Sequence, residues 1–120
     1  MKPYFFGKNH QGQDEFVMVG DIIETKNEQG ALQGDVQNLD GQYLTHLLAD
    51  YLVDKSEVKV VITNRENSRE LLVFGGTVQR ENNHVEITTE RDGSLTKKLA
   101  TFVSFDPSVK VVITVYRSKG

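Results

Sequence analysis

From residue 57 to the C-terminus the chain alternates apolar and polar residues in short runs separated by turn-forming clusters, and this pattern restricts the fold more than any other feature. Val58, Val60 and Ile62 alternate with Lys59, Val61 and Thr63, and Val85 and Ile87 alternate with His84, Glu86 and Thr88. Val109, Val111, Ile113 and Val115 alternate with Lys110, Val112, Thr114 and Tyr116. A period of two places successive side chains on opposite faces of a strand. Residues 64–69, 81–83, 91–94 and 106–108 are rich in Asn, Asp, Gly, Ser and Pro and mark the turns, with Gly93 suited to a left-handed position. Residues 70–80 and 95–105 read as the intervening strands. Strands joined by turns this short pair antiparallel with their sequence neighbours.

The first half supplies a hairpin and a helix. Residues 15–25 are rich in β-formers and end in a polar turn at 26–30, after which residues 31–38 return as a weaker strand. Over residues 41–54, Leu44, Leu47, Leu48, Tyr51 and Leu52 recur at i, i+3, i+4, i+7 and i+8, the stripe of an amphipathic helix. Asp40 is placed to cap it, and Leu39 to pack on Leu44 as a hydrophobic staple. The class expected is α+β: a curved antiparallel β-meander of about six to seven strands with a single amphipathic helix on one face. Gly75-Gly76 reads as a bend where the sheet coils. With no internal repeat, no low-complexity tract and only Pro3 and Pro107, residues 1–120 read as one domain, the first thirteen forming a flexible or edge-docking segment.

Composition excludes several classes. A chain of 120 residues buries about two thirds of its unfolded surface and needs no staples. No window approaches the ~18 apolar residues of a membrane span. The run Tyr4-Phe5-Phe6 is too short for a secretory signal, so a cytoplasmic location is expected. With zero cysteines there is no disulfide, thiolate nucleophile or cysteine-based zinc site. The net charge of −3 divides into −6 over residues 1–57 and +3 over residues 58–120.

Few residues suggest chemistry. Gly7 and Gly12 have phosphate-loop spacing, but Gln13-Asp14 stand where Lys-Ser/Thr is required. His10, His46 and His84 share no ligand spacing, so no metal and no other cofactor is expected. Tyr43, His46 and Asp50, at i, i+3 and i+7, form the one catalysis-like group: a carboxylate orienting an imidazole is the start of a general base, although no nucleophile accompanies it. Gly75 and Gly76 could leave room for a ligand. Basic residues on the later strands are interleaved with Glu81, Glu86, Glu90 and Asp92, which disfavours nucleic acid.

The last strands are apolar on both faces, as is the segment in which Val17 and Val19 oppose Phe16 and Met18. A sheet with one wet face alternates more cleanly. The second face is expected to be covered by the Tyr4-Phe5-Phe6 segment, by curling of the sheet, or by a second subunit, with Val17, Val19, Phe102, Val112 and Tyr116 as interface residues. The sequence therefore points to a small non-enzymatic protein acting through a protein partner or a homodimer. A small-molecule pocket or enzyme site between the helix and the concave sheet is the alternative.

Overall fold

The alternating runs form strands in the computed structural model, which describes residues 4–81, 83–91, 93–103 and 110–117. In chain order the elements are β1 (Tyr4–Lys8), β2 (Asp14–Lys26), β3 (Leu32–Gln37), α1 (Leu44–Leu48), β4 (Glu57–Asn64), β5 (Glu70–Glu81), β6 (His84–Thr89), β7 (Gly93–Ser94), α2 (Leu95–Val103) and β8 (Lys110–Arg117). They build one antiparallel sheet in the order β1-β2-β8-β4-β5-β6-β7, with β3 also paired to β2. The fold is α+β. Helix α2 touches β2 and β3 from one end of the sheet and β6 and β7 from the other, so the sheet curls around it. Phe16, Met18, Val58, Val60, Ile62, Val111, Ile113 and Val115 line the concave side and are buried with Leu44, Leu48, Leu95 and Leu99 of the helices.

Three features depart from the sequence reading. Residues 95–103 are a helix, not a strand, so there are two helices rather than one. Leu95, Leu99 and Phe102 fall at i, i+4 and i+7, Lys97-Lys98 breaks the period of two, and the Lys97 N–H donates to Ser94 Oγ (3.3 Å) as a helix cap. Phe105 and Val109 lie outside the described residues.

The helix expected over 41–54 is only Leu44–Leu48. Gly41 has φ +79°, outside helical space, in a turn whose Asp40 and Gln42 N–H groups both donate to Asn38 Oδ1 (3.0 Å each). Asp40 therefore caps nothing, and Leu39 is 80% exposed rather than stapled to Leu44. The stripe is nevertheless inward: Leu44, Leu47, Leu48 and Leu52 are buried.

The strands are also not a simple meander. Strand β8 is wedged between β2 and β4, far from its neighbours in sequence.

That insertion exposes an internal duplication, although the sequence shows no obvious repeat. Each half runs strand, strand, helix, strand, as β2-β3-α1-β4 and β5-β6-α2-β8, and the order β3-β2-β8-β4-β5-β6 is the same from either end. Ile22 pairs with Val36 as Val78 pairs with Ile87. A Cβ on Gly20 would lie 2.3 Å from the Gln37 carbonyl oxygen, and one on Gly76 2.6 Å from that of Thr88. Leu44-Thr45 and Leu48-Ala49 recur as Leu95-Thr96 and Leu99-Ala100. The pseudo-two-fold axis passes through the Val61–Thr114 pair, so that Val60–Val115 maps onto Ile113–Ile62.

Candidate functional site

The two halves meet over a polar cleft of about 690 Å³, reached by the β2–β3 turn, β5, β6 and the start of each helix. Its frame is built twice. Asp35, on β3, is 7% exposed; its Oδ1 accepts from the Val36 N–H (2.8 Å) and the Thr45 N–H (3.3 Å), and its Oδ2 from the Thr45 hydroxyl (2.6 Å). Glu86, on β6, repeats this: Oε1 accepts from the N–H groups of Ile87 and Thr96 (3.2 Å each), and Oε2 from the Thr96 hydroxyl (2.6 Å). Each carboxylate thus ties a strand to the first turn of its helix. The two threonines are buried, so neither hydroxyl is an accessible nucleophile.

Burial pushes the Asp35 pKa above the usual aspartate value, against hydrogen bonds from Thr45 and Val36 and the nearby His46, which pull it down. A carboxyl whose pKa is raised by folding stabilises most fully below its unfolded value near 3.8, and that contribution is lost as pH rises through the folded value. Stability is therefore expected to fall across this window, and Asp35→Asn to flatten the profile. Denaturant unfolding from pH 4 to pH 7 checks it: an unchanged slope in the variant would refute the assignment.

The structure brings some of the sequence candidates together and separates others. Tyr43 is the N-cap residue of α1, and its ring packs edge-on to His46 at 5.6 Å between centroids. His84 of β6 approaches His46 from the opposite half, with centroids 6.5 Å apart. All three line the cleft. Asp50 does not: it lies beyond the end of α1, exposed, and among the described residues no hydrogen bond or ion pair joins it to His46. The grouping present is thus Tyr43, His46 and His84. Sequence reasoning missed His84 because the repeat that brings β6 to α1 carries no local motif.

Gly75 and Gly76 border a second cleft of about 640 Å³ that shares only Gln79 and Thr88 with the first. Gly76 is required by the close approach of the Thr88 backbone, whereas a Cβ on Gly75 would meet nothing nearer than 4.0 Å. Among the described residues no three His, Asp or Glu side chains are gathered as a metal site, and no helix is long and apolar enough to cross a membrane.

On the convex side, Phe5, Val17, Thr114, Val61 and Val73 form one row across five adjacent strands, each in register with the next. Val19 and Val112 pair beside that row on one side and Tyr116 and Lys59 on the other. Phe102, the fifth expected interface residue, is on α2 and packs on the concave core instead. The Tyr4-Phe5-Phe6 segment extends the sheet as β1 rather than covering it. Tyr4 and Phe6 turn inward to pack with Phe16 and Tyr51, and the hydrogen bond to Tyr4, followed by burial, pushes the Tyr51 phenol up to about 12.

No protein-family model, curated protein or solved structure matches this chain.

Proposed function

We propose that the chain is a non-catalytic cytoplasmic protein that acts by pairing with a second copy of itself through the convex face of its sheet. The observation that carries this reading is the Phe5–Val17–Thr114–Val61–Val73 row, in which Phe5 and Val73 remain 56% and 46% exposed and Val61 opens with Lys59 and Tyr116 onto a cleft bordered by the β1–β2 turn. The occupant is argued from symmetry. The internal axis relates Val17 to Val73 and Val61 to Thr114, so the middle of the row reads alike from either end, while Phe5 has no counterpart beyond Val73. A two-fold partner with its axis parallel to the strands would set Val17 against Val73 and Lys59 against the Tyr116 ring, a cation–π contact. Closed two-fold dimers are the commonest oligomers, and sheets pack face to face about 10 Å apart.

Sedimentation equilibrium tests the pairing, and the expected species is twice 13.5 kDa. Val61→Glu places a charge at the centre of the row and is expected to weaken association by a factor of about 30, the effect of one interface hot spot. A chain without cysteine also allows a direct check. In a Val17→Cys/Val73→Cys double variant the two sites are about 14 Å apart within one chain, three strand spacings, but about 10 Å apart across the facing sheets, so a thiol cross-linker of the shorter reach joins two chains and not two sites of one, while a direct disulfide spans neither gap. Cross-linked dimers would support the stated orientation; a monomer at every concentration would end the proposal.

A further inference from the structure

The two halves of the cleft differ at several positions, among them the junctions of helix with strand. The junction of α1 with β6 carries Tyr43, His46 and His84; the equivalent junction of α2 with β3 carries Ser94, Lys97 and Gln33. Three rings thus stand where the duplicate has none. The exchange at the helix start is costly to the fold: Ser94 Oγ accepts the Lys97 N–H, while Tyr43, the N-cap residue of α1, makes no side-chain cap. The repeated carboxylate–threonine pairs explain the frame of the cleft, but no feature of the frame requires an aromatic ring at position 43.

We propose that the ring-lined end of this cleft binds a small planar organic cation, of the aryl-amidinium or aryl-ammonium type. The cleft volume of about 690 Å³ lies within the range of small-molecule sites. Tyr43 and His46 pack edge to face at 5.6 Å and His84 stands 6.5 Å from His46, so a flat ligand has ring surface available from both halves of the molecule. The charge of the ligand follows from the rest of the lining: Glu28, Asp35, Glu81 and Glu86 face the cleft with Lys26 as the single lysine or arginine among the described residues that line it. Aromatic faces and carboxylates together favour a cation over an anion of the same shape. The cleft shares no residue with the Phe5–Val17–Thr114–Val61–Val73 row and is independent of self-association through it.

The test uses the full chain and two probes of like shape and opposite charge, benzamidine and benzoate, followed by NMR at the ring protons of His46 and His84. Benzamidine is expected to shift both histidines saturably, with no matching effect from benzoate. Two variants borrow the residues of the duplicate, Tyr43→Ser and His84→Gln, and each is expected to weaken benzamidine binding about tenfold or more. Tyr43→Ser should at the same time raise the melting midpoint, because it restores the missing cap. No saturable shift with benzamidine, an equal response to benzoate, or unchanged affinity in both folded variants would overturn the assignment.

Discussion

Alanine at Gly34 is expected to destabilise the protein by about 3 kcal/mol, at the upper end of ordinary overpacking. Strand β3 and helix α2 come together at this residue so closely that a Cβ would lie 2.5 Å from both the Ala100 nitrogen and the Leu99 carbonyl carbon. Those are backbone atoms within a helix, and they cannot swing aside as a flexible side chain can. Relief requires α2 to lift from β3, which would open contacts around Leu99, itself fully buried. Replacing Gly by Ala commonly stabilises a compatible site by about 0.4–1 kcal/mol through the unfolded chain, so the expected sign is opposite to the default. Gly75→Ala is the control, because its Cβ would meet nothing nearer than 4.0 Å and the change should be nearly neutral. Denaturant unfolding of both variants is the measurement. A Gly34→Ala cost no greater than that of Gly75→Ala would contradict the packing of α2 on β3.

Truncation of Ile113 to alanine is expected to cost about 4 kcal/mol. Ile113 is fully buried on the central strand and pairs with Met18 on one side and Ile62 on the other. Neighbouring strands hold its surroundings from both edges, so the cavity has little freedom to collapse. Ile62, its partner on β4 in the other half of the duplication, is equally buried at the same point of the core. Ile62→Ala should therefore cost nearly as much as Ile113→Ala. A midpoint that falls with an unchanged denaturant dependence would show that the loss is one of native packing. A difference of more than about 2 kcal/mol between the two would mean that the halves bear load unequally.

The strands were legible where a period of two met clear turn residues, as at Val58–Val60–Ile62 and Val85–Ile87, because burial of one face writes itself into local sequence. Leu95–Val103 misled because Leu95, Leu99 and Phe102 sit among polar residues in a run short enough to satisfy either period; the deciding feature is the Ser94 cap, which looked like part of a hairpin turn. Gly41 and Asn38 closed a turn inside what read as a continuous helical stripe. The placement of β8 could not be read at all, since strand order depends on contacts between distant segments. The site divides in the same way. Tyr43 and His46 share a helix and were found by spacing, while His84 reaches them only through the packing of α1 on β6.

The strand at the centre of the sheet is also the last of the described elements in chain order. Until Lys110–Arg117 emerges from the ribosome, the inner edges of β2 and β4 both lack their partner and present unpaired backbone amides beside Phe16, Met18, Val60 and Ile62. Open edges of this kind invite pairing with other chains. The growing polypeptide thus carries this hazard until β8 has been made, and deletion of Lys110–Arg117 would remove the keystone of the sheet rather than trim its border.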